Sequence, residues 1–263
     1  MLLTVKGLII KEIAQKENDK FITILTAEHG KMSVYCRGVR KLKSQFLNCI
    51  QLFCYNEFDL YEKNGKFWLN DCYCLNDFFA LRQSLEGLAL ASYLIELLCD
   101  VTLEQEPAEE ILRVALNSLY AICEKIKPYA LLKAAFEFRI ISIIGYMPDL
   151  ECCSVCRKEF AFYYFDILNG TLICSECKKK KNDLLTFADY NDFKMPLCPL
   201  NSSVIAALKY ILNSPANRFL LFDLPSSEDL KMLCRFTELY LVSHLERSFP
   251  SLEFYNSLSL LDE

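Results

Sequence analysis

The sequence predicts an α+β chain of several modules: a small N-terminal β-barrel, a helical bundle and a cysteine-rich insert. Three observations carry that expectation. Apolar residues alternate with period two up to about residue 76, then repeat at three and four from Asp77 onward. Between 148 and 182 both patterns give way to a segment with two Cys-x-x-Cys pairs. With 263 residues, 53% hydrophobic and 24% charged, the chain has core material for two or three modules and is not disordered in composition.

The first module is read at residues 1–77. Its apolar runs are Leu2–Ile10, Phe21–Thr26, Lys31–Arg37, Cys49–Tyr61 and Lys66–Asn70, rich in Val, Ile, Phe, Tyr and Thr. Breaks fall at Glu17–Lys20, His29–Gly30 and Asn64–Gly65. Asn-Gly favours a type I′ hairpin, because both central residues need positive φ. Five strands with one long connection over 38–48 suggest an OB-fold barrel, with an open antiparallel sheet as the alternative.

The helical domain is read at 78–147 and 183–263. Leu85, Leu88, Ala89, Ala91, Ser92, Ile95 and Leu98 mark a first helix. Pro107 suits the first turn of a second, with Ile111, Leu112, Ala115, Leu119 and Ile122 on its apolar stripe. Pro128 opens a third helix, which ends near Gly145. Further helices are expected after Ser202–Ser203 and from Ser226–Ser227 to about Arg247.

The insert, 148–182, carries the strongest chemical signal. Cys153-Ser-Val-Cys156 is followed after 17 residues by Cys174-Ser-Glu-Cys177. Each Cys-x-x-Cys turn sets two thiolates on one side of a loop, and two turns supply four sulfurs for a tetrahedral Zn²⁺. Ala161–Leu168 reads as a strand, Asn169–Gly170 as a turn and Thr171–Ile173 as the return, which makes the segment a four-cysteine zinc ribbon. Four sulfur ligands leave no open position, so this zinc is expected to be structural. The competing readings are empty knuckles with buried thiols and a redox dithiol. Cys152 adjoins the first knuckle, but only Cys153 gives the two-residue spacing to Cys156. The other ten cysteines read as small core or surface residues in a reducing compartment.

Charge is unevenly spread. The net charge is −5, yet residues 1–80 hold 11 Lys/Arg against 9 Asp/Glu. Lys31, Arg37, Arg40, Lys41 and Lys43 crowd into 13 residues without an acid. On a barrel, such a segment can track phosphates and make binding salt-dependent, with Tyr35 and Phe46 available for stacking. The alternative is an ordinary solvated loop, which is also the reading for Lys178–Lys181 as a turn after the last thiol.

Enzyme machinery is missing. Neither Gly30-Lys31 nor Gly65-Lys66 completes a Walker A loop, there is no Gly-x-Gly-x-x-Gly or Gly-x-Ser-x-Gly, and His29 and His244 are the only imidazoles. A non-enzymatic protein is therefore expected. Lys6 and Lys11–Glu12 interrupt the N-terminus before a secretory signal forms, and no run of about 18 apolar residues suggests a membrane span. The expected location is the cytosol.

Taken in order along the chain, several segments resemble the RecO recombination-mediator family of bacterial DNA repair. They include Lys6-Gly7-Leu8-Ile9, Leu25-Thr26-Ala-Glu28-His-Gly30, Arg37-Gly38-Val-Arg40-Lys41 with Ser44, and Gln51-Leu-Phe53. Tyr93-Leu-Ile-Glu96-Leu-Leu98 follows, then Phe136-Glu137-Phe-Arg139 and Gly145-Tyr-Met-Pro148-Asp-Leu150 leading into the first knuckle. His244-Leu-Glu-Arg-Ser248 and Leu252-Glu-Phe254 close the series. Arg157 stands where family members with the tetrad often have Gly. The resemblance implies binding to single- and double-stranded DNA, strand annealing, and partnership with RecR and the single-strand-binding protein, so that RecA loads onto coated DNA. It implies no ATPase and a nucleoid-associated place in the cytosol. Arg37, Arg40 and Lys41 match the family's basic stretch, whereas Lys31 and Lys43 rest on charge and position.

Overall fold

A computed structural model describes residues 2–184 and 197–259, without the side chains of 181–184 and 259. The chain forms two compact units: residues 1–126 with 249–263, and residues 127–248.

The first unit is built on a closed barrel of β1 (Leu2–Gln15), β2 (Asp19–Thr26), β3 (Gly30–Cys36), β4 (Tyr55–Lys63) and β5 (Lys66–Asn76). The strands close in the order β1-β2-β3-β5-β4, with β3 and β5 parallel and every other pair antiparallel. Parallel closure between β3 and β5 is what distinguishes this OB-type barrel from an open meander. β1 is longer than the run Leu2–Ile10 suggests, because it serves two partners. Leu2–Leu8 pair with β4 and Gly7–Gln15 with β2, and an irregularity between Ile9 and Lys11 bends the strand. Alternate residues point inward, so Val5, Ile9, Ile22, Ile24, Met32, Val34, Phe58 and Leu60 fill the barrel.

The start of β4 needs correction. Residues 49–54 form turns rather than strand, since Ile50 N–H bonds back to Phe46 and Cys54 N–H to Gln51. Phe53, at φ 74, stops extension there. The β4–β5 hairpin is as expected, with Asn64 and Gly65 at φ 53 and 70, the double positive pair of a type I′ turn.

Around the barrel lie a short 3-10 turn (Phe79–Gln83), α1 (Leu85–Val101) and α2 (Glu109–Cys123). Ser84 caps α1 by accepting from Gly87 N–H. Pro107 precedes the α2 N-cap, Ala108, instead of sitting in the first turn. The link between the two helices runs along the β2–β3 hairpin. Lys31 N–H donates to Leu103, Gln105 N–H to His29 and Ala108 N–H to Ala27. A C-terminal helix, α7 (Pro250–Ser259), returns to α1, where Phe249 meets Tyr93 edge-on and Ser251 N–H bonds Glu96. No sequence pattern set this helix apart as a separate element.

The second unit holds α3 (Tyr129–Ile143), a four-stranded sheet, α5 (Ser202–Asn213) and α6 (Ser227–Leu245). Pro128 is the α3 N-cap. At the other end Gly145 N–H bonds Ser142 and Tyr146 N–H bonds Ile141, a Schellman closure. The sheet order is β6 (Asp149–Cys153), β8 (Thr171–Ile173), β7 (Phe162–Asp166) and β9 (Leu197–Asn201). β9 extends the expected ribbon hairpin by one strand, and Phe165 from β7 packs against Phe236 and Tyr240 of α6. The helices read as one domain are thus divided: α1, α2 and α7 cluster with the barrel, and α3, α5 and α6 with the sheet. Lys178–Lys181 lie in α4 (Ser175–Leu184), not in a turn.

Candidate nucleic-acid interface and metal centre

On the barrel, outward-facing residues of four adjacent strands line up. Phe21 of β2 is in register with Tyr35 of β3, and their ring centroids are 5.0 Å apart. Tyr35 pairs across the parallel junction with Trp68 of β5, and Trp68 with Tyr61 of β4 at 6.3 Å. The result is a row of four half-buried or exposed rings on one barrel face. Next to it is a depression of about 500 Å³ lined by Lys16, Phe21, Tyr35, Lys66 and Trp68 among others. Lys16 comes from the β1–β2 turn and Lys66 from the β4–β5 hairpin.

A second hollow of about 300 Å³ shares Lys16 and adds Glu17, Asn18, Asp19, Arg37, Gly38 and Lys41. Asp19 ties its parts together. It accepts from the Tyr35 hydroxyl and, at 2.7 Å, from Gly38 N–H. The Tyr35 bond first, then Gly38, with weaker help from Lys16 and Arg37, hold its carboxyl below the ordinary value. Arg40 N–H bonds Asn18 and its guanidinium bonds the Lys16 carbonyl at 3.3 Å, fastening the basic connection to the β1–β2 turn.

Arg37, Arg40, Lys41 and Lys43 are all exposed on this connection. Lys31 is elsewhere. It sits at the far end of the seven-residue β3, about 20 Å from Arg37 at the usual strand rise. Its ammonium donates to the Cys99 carbonyl at 2.7 Å in the last turn of α1, so it caps a helix end. Tyr35 joins the aromatic row, but Phe46 packs against the barrel core. Lys16, Phe21, Tyr61, Lys66 and Trp68 are not distinguished by any motif in the sequence. The one usable signal is that Lys66 and Trp68 share a side of a predicted strand.

The thiols of Cys153, Cys156, Cys174 and Cys177 lie within 4.8 Å of one another. Cys153 ends β6, Cys174 follows β8 and Cys177 is in the first turn of α4, so a hairpin and a helix start bring the knuckles together. Zn–S bonds of about 2.3 Å imply sulfur separations of about 3.8 Å in a tetrahedron, and Cys156 Sγ to Cys174 Sγ is 3.9 Å. Backbone N–H groups point at sulfur: Cys174 to Cys153 at 3.3 Å and Cys177 to Cys174 at 3.4 Å. Burial raises the Cys153 thiol, but the N–H donors of Cys156, Cys174 and Val155 outweigh it and bring it down to about 6. Burial and the neighbouring thiols push Cys177 up to about 12. The donor set fits Zn²⁺, and Cys152 is not part of it. Beside it, Lys178 Nζ lies 3.4 Å from the centre of the Tyr164 ring.

Fold and site together define a class: a chain that joins an OB-type barrel to helices and a four-cysteine cluster. The family model for the Recombination protein O N terminal matches residues 1–78, and that for the C terminal matches residues 82–189. A DNA repair protein RecO from Acetivibrio thermocellus is 30% identical over 257 residues, 97% of each chain. One from Thermoanaerobacter sp. is 26% identical over 98% of each chain, and one from Syntrophus aciditrophicus is 32% identical over 65% of this chain and 68% of its own. The chain belongs to the RecO family. No helix among the described residues is long and apolar enough to cross a membrane.

Proposed function

We propose that this protein acts in DNA repair as a non-enzymatic recombination mediator that binds and anneals DNA through its barrel. The observation that carries the reading is the aromatic row Phe21–Tyr35–Trp68–Tyr61, flanked by Lys16, Arg37, Lys41 and Lys66. Rings accept the faces of bases of any sequence, and the cations neutralise phosphate with release of counterions. In OB barrels the β2–β3 face and the β1–β2 and β4–β5 turns are where oligonucleotides bind, and those elements line the larger depression here. Annealing needs no bond chemistry. Screening two strands' phosphates and holding bases outward favours pairing without nucleotide hydrolysis.

Family membership supports the finer parts of the reading. These are contact with RecR and with the single-strand-binding protein, so that RecA loads onto coated single strands, and residence in the cytosol near the nucleoid. Zn²⁺ held by Cys153, Cys156, Cys174 and Cys177 serves as a structural brace. A second reading, a protein-binding scaffold with little DNA affinity, is favoured by the 25 acids against 18 bases in residues 81–263.

Annealing of complementary strands at two salt concentrations, with no nucleotide present, separates the two. Annealing that is fast at low salt and slow at high salt is expected. Failure at low salt, together with capture of RecR, selects the scaffold.

A further inference from the structure

We propose that Leu42 is a wedge that enters between neighbouring bases of a single DNA strand bound at the barrel and unstacks them. The inference rests on the DNA-binding reading above and adds how the strand is deformed there.

Leu42 is 94% exposed, more than any other large apolar side chain described. A single exposed leucine is ordinary on a protein surface. Here the surroundings are not. Of the other apolar residues in the connection from 37 to 54, Val39 and Ile50 are in the barrel core and Phe46 packs against it. Leu52 is half-buried, and Leu47, though exposed, keeps 39% of its surface open against 94% for Leu42. Leu42, between the anchors Val39 and Phe46, is turned out. It does not stand there on a loose chain. Lys41 N–H bonds Gly38 at 3.2 Å and Ser44 N–H bonds Lys41 at 2.8 Å, so Leu42 and Lys43 are the central pair of a closed turn. Arg40 N–H fastens the base of that turn to Asn18. Central turn positions favour Pro, Gly, Asn, Asp or Ser, so leucine has no local reason to be there.

The neighbours name the partner. Arg40, Lys41 and Lys43 are exposed on either side, and no acid occurs from Lys31 to Lys43. A protein groove that took this leucine would also have to take three cations at its rim. A nucleic acid offers both parts at once, with phosphates outside and apolar base faces between them. Aliphatic side chains inserted between base steps are a known way of prying a stack open. A pinned turn presents the side chain already in position, so little ordering is needed on binding.

The test uses full-length protein and a single strand carrying one 2-aminopurine, whose fluorescence rises when it is unstacked. Anisotropy in the same titration reports binding. Wild type is expected to bind and to raise the fluorescence several-fold. Leu42→Ala and Leu42→Ser are expected to bind within about tenfold of wild type, as removal of one apolar side chain allows, with an unchanged salt slope but without the rise. Leu42→Met is expected to keep it. A rise that persists in Leu42→Ala, or wild-type binding with no rise, overturns the wedge and leaves the binding reading standing. No binding by wild type at low salt removes both.

Discussion

Arg37, Arg40 and Lys41 belong to the proposed site by exposure and by their place around the hollow at Lys16, whereas Lys31 is committed to a helix end. The same contrast runs through the segment Phe136-Glu137-Phe-Arg139, all four of which are buried. Arg139 donates to the carbonyls of Ile211 and Leu212 at the end of α5. Glu137 accepts from Lys133 at 2.9 Å and from the Thr237 hydroxyl at 2.9 Å, and Lys133 reaches Glu238 at 2.6 Å. Burial works against the Lys133 ammonium, but the two carboxylates outweigh it and hold the group above the ordinary lysine value. A raised pKa means that this contribution is complete below the unfolded value of about 10.4 and is lost only as pH rises through the folded one. It is therefore flat across neutral pH. Lys133→Met leaves Glu137 buried and short of its cation, and we expect a loss of about 3–5 kcal/mol in urea denaturation. Lys133→Met with Glu137→Leu should lose clearly less than the single change. An equal or greater loss would mean that the pair is not what the site depends on.

At the scale of elements, the α1–α2 link and the cysteine ribbon each make a prediction. Gly30 has φ 58 at the start of β3, and a Cβ there would run into the carbonyl oxygens of Leu103 and Glu106. Those are backbone atoms of a link held by three hydrogen bonds, so they have little room to give. Gly30→Ala is expected to destabilise by roughly 2 kcal/mol or more, read as a lower denaturation midpoint. Gly65→Ala, with open space around it, should cost less. In the ribbon, backbone N–H groups aimed at sulfur favour thiolate, which is the form a metal binds. Purified protein should carry about one zinc per chain. Cys174→Ser should lower zinc content and melting temperature together, while Cys152→Ser should leave both unchanged. Metal retained at full level in Cys174→Ser would contradict the ligand set.

For the whole molecule, what was legible in the sequence was local. Period-two alternation marked the five strands, Asn64-Gly65 marked their hairpin, and the tetrad's spacing marked four sulfurs that do converge. What escaped depended on partners far along the chain. The parallel β3–β5 junction sets Tyr35 beside Trp68 and so completes the aromatic row, but no local pattern says which strand neighbours which. β9 is a five-residue strand containing a proline, and it becomes one only by pairing with β7. Lys31 looked like a member of a basic cluster because sequence distance is blind to the two ends of a strand. Net charge was equally blind, since a total of −5 conceals a local cationic face.

That face is the central claim, and salt dependence measures it most directly. The slope of log affinity against log salt for a single strand should be steep in wild type. It should flatten by about 2 when Arg37, Arg40 and Lys41 are replaced together by Ala, at roughly 0.7 for each phosphate no longer neutralised. Replacing Lys31 alone should leave it unchanged. A triple variant whose slope matches wild type would contradict the account.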